Sequence, residues 1–175
     1  MSFYTVPTTT RRSPPELTCS DELWQLLLVQ LRERGRSGER ESGAFLLGHE
    51  VAERRRISQF VLYDDLDPNS LDRGIVHFNG KHYGALWERC RAADVMVVAD
   101  VHTHPVGSHQ SPSDRDHPMI ATAGHIALII PEFAMRNASM EEIGMYRYLG
   151  GRRWYTVPIS ERATFLQLDA GRLGR

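Results

Sequence analysis

The sequence holds one lysine, Lys81, and two cysteines, Cys19 and Cys90, in 175 residues. Two cysteines 71 positions apart make neither a disulfide framework nor a thiolate zinc cluster, and they match no CxxC pattern. Net charge is equally lacking, since 21 Lys+Arg against 22 Asp+Glu leave a formal charge of -1. That balance excludes a broad basic field for nucleic acid and a polybasic signal for a membrane surface. No apolar run approaches the ~20 residues that span a bilayer. The N-terminus has no apolar stretch followed by a small-residue cleavage site, so no secretory signal is expected. These absences predict a soluble, cytoplasmic protein with no nucleic-acid or membrane partner. What is present, 41% hydrophobic and 25% charged residues, suffices to bury one continuous core.

Residues 1–18 read as an N-terminal tail, rich in Thr, Pro and Arg and interrupted by Pro14-Pro15; residues 19–175 read as a single domain. Ser20, Asp21, Glu22 and the apolar spacing of Leu23, Trp24, Leu26, Leu27, Leu28 and Leu31 predict a helix over 21–34, capped by serine and closed at Gly35. Short strands are predicted over 44–48, ending at Gly48, over 56–63 and, less distinctly, over 75–78. A second helix fits 81–93. The run Val95 to Val101 is almost wholly apolar, as expected of a central strand covered on both faces. A further strand is expected over 125–130, a hairpin over 143–157, and a last helix over 160–173 capped by Ser160. The fold class is α/β, with a mixed central sheet flanked by helices.

Three of the eight histidines follow the central strand: His102, His104 and His109. On extended backbone, residues i and i+2 point the same way, so His102 and His104 can turn ring nitrogens toward one metal ion. Ser111-Pro112 is a good helix start and puts Asp114 in the first turn. A second register, Ser113 with Asp116, satisfies the same spacing but places Pro118 where a helix needs a backbone donor. Two imidazoles and one carboxylate leave a fourth tetrahedral position open, as in catalytic zinc sites. Asp100, inside the apolar run, is a candidate to orient a ligand histidine or to make a structural hydrogen bond. His109, His117 and His125 read as loop or surface residues, Asp64, Asp65 and Asp67 as a solvated turn, Cys90 as core, and Trp24, Trp87 and Trp154 as packing residues.

His102-Thr-His104-Pro105, a short loop and Ser111-x-x-Asp114, with Glu41 ahead of Ser-Gly-Ala-Phe-Leu-Leu-Gly48, resemble the JAMM motif of the MPN-plus metalloproteases. The resemblance covers roughly residues 20–158. Two departures are visible: nine residues, not the usual ten, separate His104 from Asp114, and Ala44 stands where glycine is frequent. The resemblance implies an MPN fold of cytidine-deaminase-like architecture and Zn2+ held by His102, His104 and Asp114. It also implies Glu41 as general base and Ser111 as oxyanion donor. The implied activity is cleavage of the bond after the C-terminus of a ubiquitin-like protein, with E1-like and E2-like enzymes as companions. Processing of a sulfur-carrier tail and a metal-free scaffold are the alternatives. A chain with a single lysine also offers few acceptors for its own conjugation, which arginine-rich composition explains equally well.

Overall fold

The computed structural model describes residues 15–170. Most of the expected tail lies outside these residues; at its end, Leu17 and Thr18 belong to β1 (Leu17–Ser20), a correction to the boundary at 18. Helix α1 (Asp21–Arg34) starts and stops as its sequence dictates. Ser20 Oγ accepts the Leu23 N–H at 3.2 Å, acidic residues fill the first turn, and arginines fill the last. Trp24, Leu27, Leu28 and Leu31 form its buried face.

Strands β2 (Gly43–Val51) and β3 (Arg54–Leu62) pair antiparallel. Gly48, expected to end the first of them, lies inside it at a register shift. A Cβ there would come within 1.8 Å of the Arg56 carbonyl oxygen, so the glycine permits the close approach instead of ending the strand. Helix α2 (Tyr63–Leu66) follows directly. The strand expected over 75–78 does not form, because the Val76 N–H goes to the Glu41 carboxylate and the His77 N–H to the Ser70 carbonyl. A 3-10 turn at Gly80–His82 leads into α3 (Tyr83–Ala92), then β4 (Met96–Thr103), α4 (Pro112–Asp116) and β5 (Ile126–Ile130). The hairpin is β6 (Gly144–Gly150) with β7 (Arg153–Thr156).

Of the C-terminal helix expected over 160–173, residues 171–173 lie outside the described residues, and the part within them is shorter than expected. Helix α5 (Ile159–Phe165) follows Pro158 with no side-chain cap, and the chain turns into β8 (Leu166–Asp169), parallel to β1. Leu166 and Leu168 pack on the core while Gln167 is exposed, a period of two that a four-residue strand displays too briefly to be read.

All eight strands form one mixed sheet in the order β7-β6-β5-β4-β2-β3-β1-β8, with β4 inside it between β2 and β5. Side chains alternate across β2. Ala44 and Leu46 join the α1 core with Trp24 and Leu31, while Phe45 and Leu47 join Leu86 and Cys90 of α3 on the other face. The sheet is thereby covered on both sides at its centre, and the C-terminal end of β4 is where polar side chains collect.

Candidate metal centre

Two latches join β2 and β4 at that end. Gly43 pairs with His102, and Ser42 is tied to Thr103 by Ser42 N–H to Thr103 Oγ1 at 2.9 Å and by Thr103 N–H to the Ser42 carbonyl at 2.9 Å. Glu41, one residue earlier, is thus carried to the strand bearing the histidines. The His104 N–H bonds the Ile130 carbonyl at the end of β5, and the His104 carbonyl accepts from Phe133. The loop beyond it is pinned by Tyr146 Oη, which donates to the Ser108 carbonyl at 2.7 Å. Gly144 lets that carbonyl approach, since a Cβ there would lie 2.0 Å from it. The loop then delivers α4. Ser111 Oγ accepts the Asp114 N–H at 3.2 Å while Asp114 Oδ2 accepts the Ser111 N–H at 2.6 Å, a reciprocal capping box with Pro112 at the helix start.

The box aims Asp114 at both imidazoles. Nε2 of His102 lies 3.0 Å from Nε2 of His104 and 3.4 Å from Asp114 Oδ1, and Nε2 of His104 lies 3.2 Å from Asp114 Oδ2. A zinc-sized ion with four ligands at about 2.0–2.1 Å separates neighbouring donors by about 3.3 Å, so this donor set fits one. Among the described residues these three alone converge in this way. A slot of about 20 Å³ lined by Asp100, His102, Gln110, Asp114 and Trp154 opens beside them, room for about one water-sized group. Asp116 is exposed on α4 and lies outside this convergence; His109 is exposed in its loop and His117 is half-buried.

Charge complementarity reinforces the cluster. Burial acts to lower the His102 pKa, but hydrogen bonding and attraction to Asp114, with the charges of Asp100 and Glu41, raise it overall. Burial acts to raise Asp114, but hydrogen bonds from both histidines and the Ser111 N–H hold its carboxyl well below the usual carboxylate range. Three carboxylates within electrostatic reach of His102 make the position attractive to a cation. Glu41 itself accepts the Val76 N–H on Oε2 at 3.1 Å, and its own N–H bonds the Gly74 carbonyl.

Other residues are placed differently from their sequence reading. Asp100 bonds neither ligand histidine; it is buried, and it accepts from Tyr63 Oη at 3.1 Å and from His125 Nε2 at 2.5 Å. His125, expected in a loop or at the surface, is buried as that partner. His102 Nδ1 is buried with no hydrogen-bond partner among the described residues. The acidic turn is dispersed. Asp64 and Asp65 pair with Arg34, and Asp67 is buried, accepting the Asn69 and Asn79 N–H groups. Cys90 is core, but Trp87 is 40% exposed and stacks on Tyr83. An apolar cavity of about 570 Å³, lined by Trp87, Cys90, Met96, Ile120 and His125, lies at the far end of β4 from the cluster. Tyr63 and His125 carry no sequence signal, lying 37 and 25 positions from the carboxylate they serve.

A family model described as prokaryotic homologs of the JAB domain matches residues 23–143, a span that contains Glu41, His102, His104, Ser111 and Asp114. The chain belongs to the JAB/MPN family. A relative from Sinorhizobium fredii, named probable metalloprotease y4jG, is 27% identical over 64 residues, 37% of this chain and 40% of that protein. The chain thus matches two fifths of that relative's length. Two solution structures share the fold. One is of a protein from Desulfitobacterium hafniense (TM-score 0.61, 14% identity, covering 89% of this chain and 94% of that one). The other is of a protein from Salinibacter ruber (TM-score 0.51, 13% identity, covering 89% and 92%). Among the described residues, no helix of this JAB-domain chain is long and apolar enough to cross a membrane.

Proposed function

We propose that this JAB-domain chain is a zinc-dependent peptidase that hydrolyses the amide or isopeptide bond following the C-terminus of a ubiquitin-like protein. The observation that carries the reading is the convergence of His102 Nε2, His104 Nε2 and the Asp114 carboxylate within 3.4 Å of one another, with Glu41 leading the strand paired beside them. The partial likeness to a protein named as a probable metalloprotease supports the same class of chemistry.

His102, His104 and Asp114 would hold the zinc ion. When bound, zinc supplies Lewis acidity, polarising the scissile carbonyl and bringing the pKa of water toward neutrality. The residues of the chain do the rest. Glu41 takes the proton of the attacking water and returns it to the leaving amine. Its Oε2 is fixed by the Val76 N–H, which leaves the other oxygen for proton traffic. Ser111 donates a hydrogen bond from its hydroxyl to the oxyanion that develops on the carbonyl. That role is compatible with capping α4, because the cap uses a lone pair of Oγ and leaves the proton free. The capping box also holds Asp114 still, so one local motif orients a ligand and an oxyanion donor together.

A ubiquitin-like substrate implies companions of the E1-like and E2-like kind in the same pathway. A linear tail fusion and an isopeptide-linked conjugate, each incubated with the zinc-loaded protein, test the reading. Cleavage of the conjugate with one zinc per chain supports it. Cleavage of the linear fusion alone assigns tail processing of a carrier protein instead, and no zinc uptake overturns the peptidase reading altogether.

A further inference from the structure

Asp100 stands one step from His102 along the same face of β4, yet among the described residues it hydrogen-bonds neither candidate ligand imidazole. Its two oxygens are spent in opposite directions. Oδ2 accepts from Tyr63 Oη, at the junction of β3 and α2; Oδ1 accepts from the His125 imidazole N–H, at the entry to β5. A carboxylate only accepts, so Nε2 of His125 carries the proton in that bond. One side chain of β4 is therefore tied to the start of α2 on one side and to the entry of β5 on the other.

The tie reaches the site through backbone. The Tyr63 ring lies against Gly43, where a Cβ would be 2.3 Å from its Cε2 atom, and Gly43 is the residue paired with His102 and two positions after Glu41. His125 is anchored in turn, its N–H on the Thr122 carbonyl and its own carbonyl accepting from Tyr148. Two residues further on, Ala127 pairs with Asp100 across β4 and β5. Among the described residues the His102 ring has no hydrogen bond through Nδ1 to orient it, although a partner at that atom is the usual arrangement for a metal-ligating histidine. Its placement depends on the backbone that carries it. A buried carboxylate is also costly compared with an apolar side chain of similar size, and the adjacent positions of β4 are Val98, Ala99 and Val101. Core packing alone does not call for an aspartate there.

We propose that Tyr63, Asp100 and His125 form the positioning device of the metal centre, fixing the β2–β4 pair so that Glu41 and the His102 imidazole keep their mutual spacing. These are positioning residues, acting through backbone, and the inference rests on reading the histidine cluster as a zinc site. His125→Leu removes the donor to Asp100, whereas His125→Gln offers an amide N–H at the same reach; Tyr63→Phe removes only the hydroxyl. Zinc affinity is measured by competition with a chromophoric chelator, the visible spectrum of the cobalt-loaded protein reports ligand geometry, and kcat and KM are taken on a cleavable tail substrate. The expected result for His125→Leu is at least tenfold weaker zinc binding, an altered cobalt spectrum and a kcat reduced tenfold or more at unchanged KM. His125→Gln should return within threefold of the parent in each. Tyr63→Phe should move the same readouts in the same direction while remaining folded. A parent protein that binds zinc, with His125→Leu and His125→Gln indistinguishable from each other, overturns the inference alone. A parent that binds no zinc removes the metal reading and the inference with it. Zinc binding and a cobalt spectrum that respond as described, in a protein that cleaves no tail substrate, support the inference and count only against the peptidase reading.

Discussion

The Tyr63 ring occupies the space that a side chain on Gly43 would take, with a hypothetical Cβ 2.3 Å from Cε2 and 2.8 Å from the Val101 carbonyl. Because Gly43 pairs with His102, one methyl group at this position presses on both the aromatic cluster and the strand that bears His102. Gly43→Ala is expected to destabilise the fold by about 1–3 kcal/mol, the usual cost of overpacking. Urea denaturation measures it. A variant with unchanged midpoint and unchanged zinc affinity would show that the β2–β4 contact is looser than described.

Asp114 converges with His102 and His104, whereas Asp116 is exposed, so the zinc reading takes Asp114 as its third ligand. Asp114→Asn is expected to lose high-affinity zinc and the capping box together, whereas Asp116→Asn, on the exposed side of α4, should bind one zinc as the parent does. Since a bound ion stabilises only the folded state, saturating zinc at a hundredfold excess over its Kd adds about 2.7 kcal/mol. For a domain of this size that is a rise in Tm of roughly 5–10 °C. Calorimetry with zinc and with chelator should show the rise in the parent and in Asp116→Asn but not in Asp114→Asn or His102→Ala. A zinc-dependent rise in Asp114→Asn would refute the assignment.

Glu41 and Ser111 separate by what they leave intact. On the proposed mechanism Glu41→Ala removes the base but no donor of the cluster, so zinc stoichiometry should remain one while the cleavage rate falls by about 10²- to 10⁴-fold. Retained activity would move the base role to another carboxylate, Glu39 being the nearest in sequence. Ser111→Ala should lose about 1 kcal/mol through the helix cap and, separately, about 10²-fold in kcat through the oxyanion contact. A loss of stability with unchanged kcat would confine Ser111 to its capping role.

The parts of this site written in local sequence were legible, and those written in tertiary contact were not. His102 and His104 announce themselves by a two-residue spacing after a continuous apolar strand, and Asp114 by the serine-proline helix start that precedes it. Helix α1 was equally plain, since cap, first-turn acids and apolar spacing all agree. The β8 strand was hidden because four residues show too little alternation to compete with a helical reading of the C-terminus. Val76 and His77 look like strand residues, yet their N–H groups are taken by Glu41 and Ser70, a choice that only the folded chain reveals. Asp100 was conspicuous as a charge in an apolar run; its partners lie on separate elements, so no spacing points to them.

High pH supplies a test on the opposite side of the molecule's chemistry. Cys19 lies in the α1 core, where burial pushes its thiol from an ordinary 9.0 up to about 12, and burial likewise lifts the Tyr83 hydroxyl from 10.0 to about 12. Tyr63, fully buried beside Asp100, is raised well above its ordinary value by the same burial. Each group keeps its proton longer in the folded state than in the unfolded one. Their contribution is therefore complete below about pH 9 and is lost as the pH rises toward 12, because the unfolded chain ionises first. Between the two pKa values one such group removes roughly 1 kcal/mol of stability per pH unit. Urea denaturation of the metal-free protein in chelator should thus show a midpoint that is level from pH 7 to 8.5 and falls steadily from pH 9.5 to 11. Cys19→Ala, though less stable at neutral pH for its lost core contacts, should show a shallower decline. The native thiol should also resist alkylation at pH 8.5, since its reactive thiolate is scarce and its sulfur is enclosed. A stability curve that stays flat to pH 11, or a Cys19→Ala variant with the parent's slope, would remove burial of the thiol as the cause.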